Sequence, residues 1–212
     1  MSATESVKVW DPLVRIFHWA LVIGFTVAYL TGEDESALHI WSGYIVGGLI
    51  AFRLVWGLVG TRHARFRDFL YGPRKLLGYT RSLLSGHPQR YLGHNPLGGL
   101  MVVLLLLALV GTTITGLQVY AVEEGKGPLA PLMASGPQAM LPIAAAKANG
   151  DEHEEGHEGE REELYEELHE LFANLTLALV ILHVLGVISG SLLHRENLIR
   201  AMFTGRKPAR LE

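Results

Sequence analysis

Residues 97–119 read LGGLMVVLLLLALVGTTITGLQV, an apolar stretch about as long as the hydrocarbon core of a bilayer requires. Between Met101 and Gly111 no side chain carries a polar atom. A surface helix of a soluble protein is amphipathic rather than uniformly apolar. Three further stretches share this length and character: Leu13 to Leu30, Leu38 to Val59 and Leu171 to Leu193. The sequence therefore predicts an all-α integral membrane protein, a four-helix bundle of transmembrane helices.

The composition supports a membrane protein and excludes several kinds of site. Of the 212 residues 49% are hydrophobic and only 18% are charged, whereas soluble domains carry about 25% charged residues. Cysteine is absent, which excludes disulfides, cysteine-ligated zinc, iron–sulfur clusters and covalent haem attachment through C-x-x-C-H. This length predicts a single domain over residues 1–212, and no nucleic acid partner is expected.

The charges predict the orientation in the membrane. Thirteen of the 18 lysine and arginine residues lie before the first span, between the second and third, or after the fourth, and Arg15 and Arg53, near the ends of the first two spans, bring that side to fifteen. Because basic residues favour cytoplasmic loops, both termini are expected in the cytoplasm of a bacterial-type inner membrane. Sixteen of the 21 acidic residues lie on the other side, which gives net charges of −13 outside and +10 inside.

The loops and the first span carry further expectations. The first span has Arg15 and His18 inside it and no small-residue cleavage site after it, so it is expected to remain in the mature protein. An interfacial helix is predicted near residues 73–84 on the basic inner loop. In the acidic outer loop over residues 121–170, residues 125–150 are expected to be irregular. Residues 151–170 are expected to end in a helix that continues into the fourth span.

Four histidines lie within or at the ends of the spans, where ligating side chains are functional candidates. His39 and His169 begin their spans on the outer side, whereas His18 and His183 lie closer to the inner side. His169 and His183 are 14 residues apart, close to four full helical turns, so they share a face at depths about 21 Å apart. The expected pairs are His39 with His169 and His18 with His183. Each pair is predicted to ligate the iron of one non-covalent haem b, which is apolar and takes two axial imidazoles.

Small and basic residues near the histidines are secondary candidates for binding the same groups. Gly43 and Gly186 lie four and three residues after a histidine and would leave room for a flat ring. The alternative is that both glycines belong to G-x-x-x-G helix contacts. Arg15 and Arg53 are candidate partners of haem propionates on the inner side. The alternative is that both follow the preference of basic residues for the cytoplasmic side, or extend their charged groups to the membrane interface.

Two other histidine-containing segments leave alternatives open. His94 precedes the third span and is interpreted as a proton carrier or quinone hydrogen-bond partner, or as a structural residue of its loop. His153 and His157 have the i, i+4 spacing of a metal site within an acidic run, which is more typical of a solvated segment.

Several segments resemble bacterial b-type cytochromes, a group that includes cytochrome b561 and the membrane subunits of nickel–iron hydrogenases. The similar segments are Val9 to Trp19 (VWDPLVRIFHW), Arg53 to Gly57 (RLVWG), Ala64 to Phe66 (ARF), Gly93 to Pro96 (GHNP) and Leu168 to Glu170 (LHE), with His183 downstream. The resemblance covers nearly the whole chain apart from the acidic loop. It implies haem ligation by His18, His39, His169 and His183. Hydrogenase-type subunits usually carry a fifth span, so the four spans favour the smaller cytochrome b561 group.

Together these observations predict a di-haem oxidoreductase component that transfers electrons across the membrane. The expected partners are membrane lipid, the quinone pool and a periplasmic redox partner such as a c-type cytochrome, and a homodimer is possible. One alternative is the haem-relay anchor subunit of a larger dehydrogenase, hydrogenase or reductase. A haem-free histidine-based metal transporter is disfavoured because the spans lack intramembrane carboxylates.

Overall fold

The computed structural model describes residues 6–32, 36–86, 89–134 and 154–209. Within these ranges helices dominate, and the strands are two segments of three residues. The elements in chain order are β1 (Ser6–Lys8), α1 (Pro12–Leu30), α2 (Ala37–Val59), a 3₁₀ turn (Phe66–Asp68), α3 (Pro73–Leu84), α4 (Pro96–Glu123), α5 (Ala130–Ala134), α6 (Glu154–Leu193), α7 (Leu198–Thr204) and β2 (Arg206–Pro208).

Helices α1, α2, α4 and α6 are each long and apolar enough to cross a membrane. This confirms the four predicted spans, whose bounds agree with the helices within a few residues except at the start of α6. The apolar part of α6 covers Gly159–Leu193, but the helix itself begins at Glu154. The acidic run therefore continues into the fourth span as one 40-residue helix, as the sequence predicts.

Polar residues before each apolar stretch fix where the first three spans begin. The Asp11 carboxylate accepts a hydrogen bond of 2.9 Å from the Val14 backbone N–H, and Pro12 follows as the first residue of α1. The Ser36 hydroxyl caps α2 by accepting from the N–H of His39. The side chain of Asn95 accepts from Gly98 at the start of α4. Such caps satisfy N–H groups that the first turn of a helix leaves unpaired.

Two short helices, α3 and α5, lie in the segments predicted to connect the spans. Helix α3 forms where an interfacial helix is predicted, with Tyr79 buried and Arg74, Lys75 and Arg81 exposed, and its position at a membrane interface stays a prediction. Helix α5 interrupts the outer segment that was expected to be irregular, because residues 130–134 form a short helix. Residues 135–153, and His153 with them, lie outside the described residues, as do the side chains of residues 154–158, including that of His157.

A two-stranded ribbon joins the first and last described segments of the chain. Strand β1 pairs antiparallel with β2, with Val7 opposite Lys207, and the Val9 N–H donates to the Gly205 carbonyl at 2.8 Å. The sequence analysis did not predict this ribbon. It fixes the start of α1 beside the end of α7.

The chain divides into two compact units. The first comprises residues 1–107 and 177–212, and the second comprises residues 108–176. Helices α4 and α6 contribute to both, so His18, His39 and His183 belong to the first unit and His169 belongs to the second. The single domain over residues 1–212 stays a prediction.

Candidate functional site

His18 and His183 face each other in the first unit. The centroids of their rings are 6.5 Å apart, and the ring planes make an angle of 56°. An imidazole nitrogen lies about 2 Å from a metal such as zinc that it ligates, so two imidazoles on opposite sides of one metal ion have centroids roughly 6 Å apart. The separation therefore suits two axial ligands of one metal.

Buried polar atoms without a hydrogen-bond partner concentrate around this histidine pair. A buried donor normally has a partner, and each exception requires an explanation such as a ligand. Six of the seven such side-chain atoms in the described part of the chain belong to the first unit, and five of these lie on α1, near the end of α2 or just before α4. They are Nε of Arg15, Nδ1 of His18, Nε1 of Trp19, Nη1 of Arg53 and Nδ1 of His94.

His39 is oriented by a hydrogen bond to the neighbouring helix. Its Nδ1 lies 2.9 Å from the backbone carbonyl of Ala28 on α1, so Nδ1 carries the proton and donates. In this neutral tautomer the lone pair is on Nε2. Metal-ligating histidines usually donate their other ring N–H to a carbonyl or carboxylate in this way. This tautomer places the lone pair of His39 on Nε2, a nitrogen through which histidine can ligate a metal.

His169 shows the same arrangement in the second unit. Its Nδ1 lies 3.0 Å from the Thr112 carbonyl and 3.2 Å from the Thr115 hydroxyl of α4. The carbonyl can only accept, so Nδ1 carries the proton and Nε2 carries the lone pair. Two of the candidate ligands, His39 and His169, thus have the same tautomer fixed by a backbone carbonyl of an adjacent helix.

Glycines of α4 let α6 approach closely, and the sequence analysis did not identify them. A Cβ at Gly116 would lie 2.8 Å from Cε1 of His169, and one at Gly111 would lie 2.5 Å from the Phe172 ring. The signal was present in the sequence, because Gly111, Thr112, Thr115 and Gly116 form a small-residue face on an otherwise leucine-rich helix.

The predicted cofactor glycines have open surroundings. A Cβ at Gly43 or Gly186 would meet none of the described atoms within 4 Å. By contrast, one at Gly190 would contact Leu198 at 3.4 Å. Among the described atoms, neither Gly43 nor Gly186 makes a close helix contact, and their role beside a ligand stays a prediction.

The two predicted propionate partners have different surroundings. Nη1 of Arg15 donates to the Phe203 carbonyl at the end of α7, so this guanidinium already fixes α7 to α1. Arg53 is 3% exposed and lies over the rings of Phe66 and Phe69, with its Cζ at 5.0 and 5.9 Å from their centroids. Each arginine therefore retains a buried donor, Nη1 of Arg53 and Nε of Arg15, and Arg15 has another donor engaged by the backbone.

His94 lies beside Arg53, just outside the third span. Burial, with the cations Arg53 and Lys207 nearby, lowers the pKa of His94 to about 3. His94 is therefore neutral at physiological pH. The Tyr71 hydroxyl donates to its backbone carbonyl at 3.1 Å, which holds the loop before α4.

Three carboxylates converge in the second unit. Glu123, Glu162 and Glu166 bring one oxygen each within 4.8 Å of one another. Two of these side chains are exposed, and exposed acidic groups often converge without binding an ion.

Almost the whole chain matches one known protein family. The model of the family described as prokaryotic cytochrome b561 matches residues 9–205, almost the whole chain. This chain belongs to the prokaryotic cytochrome b561 family. The protein is therefore a multi-pass membrane protein and a b-type cytochrome, a component of electron transfer, and membership of such a family implies haem b.

Among curated proteins this cytochrome is similar to several named "Probable Ni/Fe-hydrogenase B-type cytochrome subunit". The one from Rhizobium leguminosarum bv. viciae is 30% identical over 155 residues, which cover 58% of this chain and 62% of the relative. Those from Rhodobacter capsulatus and Azotobacter chroococcum mcd 1 are each 26% identical, covering 58% of this chain and 58% and 62% of the relative. The chain thus spans about three-fifths of the length of these relatives. No solved structure matches it significantly.

The residues of this cytochrome fit haem b. The His18–His183 separation suits two axial ligands, and the tautomers of His39 and His169 place a lone pair on Nε2, through which histidine can bind iron. The unpartnered donors of Arg53 and His94 suit acidic groups at the edge of the ring system.

Proposed function

We propose that this cytochrome holds two non-covalent b-type haems and transfers electrons across the membrane. His18 and His183 are the ligands of the inner haem, and His39 and His169 are those of the outer haem. The observation that carries the proposal is the 6.5 Å separation of the His18 and His183 rings among buried, unpartnered donors. The pairing of His39 with His169 rests on their sequence positions and on their matching tautomers.

Each haem, when bound, accepts and releases one electron at its iron. The four histidines hold the two groups near opposite ends of the spans. The Ala28 and Thr112 carbonyls fix the orientation of the outer pair. Apolar side chains of the spans exclude water from the ligands, and Gly43 and Gly186 leave space beside them.

The protein is placed in a bacterial-type inner membrane with both termini in the cytoplasm. Support comes from the uneven distribution of lysine and arginine, which favours the cytoplasmic side for the segments around α3 and the ribbon. The paired strands β1 and β2 agree with this arrangement because they require both ends of the described chain on one side.

The electron partners are the quinone pool and a periplasmic carrier such as a c-type cytochrome. The outer net charge of −13 supports the second partner, since a basic carrier would be steered toward an acidic surface. The rate of electron transfer to such a carrier is therefore expected to fall as ionic strength rises. A rate independent of ionic strength for every candidate carrier would remove this part of the proposal.

The first experiment is a haem count combined with histidine variants. The purified protein is expected to contain two haems per chain with low-spin b-type spectra. His18→Ala or His183→Ala should retain only the outer haem, and His39→Ala or His169→Ala only the inner one. His194→Ala, outside the proposed ligands, should retain both. Equal loss of both haems from a folded single variant would contradict the pairing, and a wild-type protein without haem would contradict the function.

A second candidate is the haem-relay membrane subunit of a larger complex. The relatives are named as hydrogenase subunits, which favours a hydrogenase as the main subunit of this complex. A dehydrogenase or a reductase is the alternative main subunit. Affinity purification from the native membrane in mild detergent distinguishes the two candidates. A stoichiometric large subunit would establish the anchor, whereas a free chain or a homodimer by light scattering would establish an independent carrier.

A further inference from the structure

His94 lies at the inner edge of the first unit with an unsatisfied ring nitrogen. Its ring packs between those of Trp10 and Phe69, with both centroid distances 4.6 Å. Nδ1 is buried and has no hydrogen-bond partner among the described residues. Two flanking aromatic rings fix the imidazole, so Nδ1 points in a defined direction without any acceptor.

Arg53 presents a second unsatisfied donor beside the same aromatic ring. Its guanidinium lies 5.9 Å from the centroid of Phe69, the ring that also contacts His94. Its Nη1 is buried and has no partner among the described residues. A buried guanidinium is expected to pair with an anion, since leaving such a charge unpaired is costly.

The nearby carboxylates of the first unit are already engaged elsewhere. Asp11 accepts from the Val14 N–H, the Trp56 indole and the Thr61 hydroxyl. Glu196 pairs with Arg90 and Lys207. Neither acid is therefore available as the main partner of the two unsatisfied donors.

The charges around His94 favour an anion. Arg53 and Lys207 are the cations that face it, and His63 and His183 are the other titratable groups that influence it. Phe17 and Phe52, which adjoin His18 and Arg53 in the sequence, have ring centroids 6.5 Å apart, so Arg53 lies at the level of His18 on the neighbouring helix. The two buried donors, of which Arg53 also carries a positive charge, therefore suit an acidic substituent on the ligated group.

We infer that Nδ1 of His94 and Nη1 of Arg53 form a buried carboxylate site for one propionate of the haem held by His18 and His183. This inference rests on the proposed function and deepens it, because it gives the GHNP segment a role in orienting the inner haem. The neutral imidazole donates one hydrogen bond to the carboxylate, and the guanidinium contributes a hydrogen bond and its positive charge. Charge-assisted bonds of this kind are the strong ones.

The test uses the haem-loaded protein and three variants. His94→Phe keeps an aromatic ring between Trp10 and Phe69 but removes the donor, whereas His94→Asn keeps a donor close to the position of Nδ1. His194→Phe is the matched control, since it removes a histidine outside the site. The measurements are haem content, the midpoint potentials of the haems, and the propionate bending bands in resonance Raman spectra.

Loss of a donor leaves more negative charge on the propionate, which disfavours the reduced haem. His94→Phe is therefore expected to lower the potential of one haem and to shift one propionate band, with the other haem unchanged. A tenfold change in the redox equilibrium would correspond to about 59 mV. His94→Asn should restore most of both signals, and His194→Phe should change neither. If His94→Phe loses haem entirely, Arg53→Gln is expected to give the same band shift and a lower potential.

Unchanged propionate bands in both His94→Phe and Arg53→Gln would overturn the inference while leaving the di-haem function intact. A small carboxylate from solution in the same site is the competing source. In that case the wild-type midpoint potential would depend on the buffer anion, and the propionate bands would be the same in the wild type and the variants. This result would also overturn the inference. A wild-type protein without haem would instead contradict the proposed function itself.

Discussion

At the scale of single residues, the hydrogen bonds of His39 and His169 determine which nitrogen of each ring carries the lone pair. His169 donates from Nδ1 to the Thr112 carbonyl, and this bond requires the close approach that Gly116 permits. His39 has the equivalent bond to Ala28. In both of these proposed ligands, a backbone carbonyl therefore holds the Nδ1 proton and leaves Nε2 as the nitrogen that would ligate iron.

Gly116→Ala is expected to displace the His169 ring, because the new Cβ would lie 2.8 Å from Cε1. The Nδ1 bond to Thr112 should weaken, and the outer haem should be partly lost or become high-spin while the inner haem is retained. Absorption and electron paramagnetic resonance spectra of the purified variant measure both effects. Gly48→Ala is the control, since a Cβ there meets none of the described atoms within 4 Å. Identical spectra for the two variants would show that α4 does not constrain His169.

At the scale of elements, Asp11 connects the start of α1 to the end of α2. It caps α1 and accepts from Trp56 and Thr61. Burial alone would raise the pKa of Asp11, but the hydrogen bonds from Thr61, Val14 and Trp56 outweigh it and lower the pKa below the ordinary value. The ionised carboxylate is thus the form that the folded protein stabilises.

Asp11→Ala is expected to cost about 1 to 2 kcal/mol of the free energy of unfolding, the range for loss of a helix cap. Because the pKa is lowered in the folded state, the contribution of Asp11 is fully present above about pH 4, the unfolded value. It is lost as the pH falls further through the folded value. Thermal unfolding in detergent at pH 7 and at acid pH measures the difference between wild type and variant. A difference that grew on acidification would contradict this assignment.

The elements also show why some features were predictable from sequence and others were not. Spans α1, α2, α4 and α6 depend on local hydropathy and length, and helix α3 on a local amphipathic pattern, so their sequences contain the signal. The ribbon joins Val7 to Lys207 through three-residue strands, and its pairing has no local signature. The contact of Gly116 with His169 depends likewise on how two distant segments of the second unit pack.

At the scale of the whole molecule, a buried ion network fixes the ribbon to the end of α6. Glu196 is 6% exposed and pairs with Arg90 and with Lys207, which is equally buried. Arg90 also donates to the carbonyls of Pro208 and Ala209. The segment before α4, which contains Arg90, is therefore bound to the segment after α7, which contains Lys207, through the same carboxylate of Glu196.

Glu196→Gln is expected to destabilise the protein by about 3 to 5 kcal/mol, because it leaves the buried Lys207 cation without its partner. The exposed pair of Glu124 and Lys126 provides the control, since such pairs contribute about 0 to 1 kcal/mol. Unfolding midpoints of Glu196→Gln and Glu124→Gln in the same detergent test the contrast. Equal midpoints would mean that water reaches the Glu196 network.

The orientation of the molecule is tested by reporter fusions. Alkaline phosphatase, which is active only in the periplasm, should be active when inserted near residue 140 and inactive when fused after residue 212. Green fluorescent protein fused after residue 212 should fluoresce. The reverse pattern would invert the assignment that rests on the lysine and arginine distribution.

The pairing of β1 with β2 joins segments that are synthesised at different times. Strand β1 is made first and β2 last, and His18 leaves the ribosome long before His183. At usual rates of synthesis the delay between these two histidines is roughly 10 to 30 s. During that interval α1 resides in the bilayer without the partner of its histidine and without the Phe203 carbonyl that Arg15 contacts. With His18 and His183 as the proposed inner ligands, both are present only once α6 has been made, so chains that end before His183 are expected to hold less haem at that site.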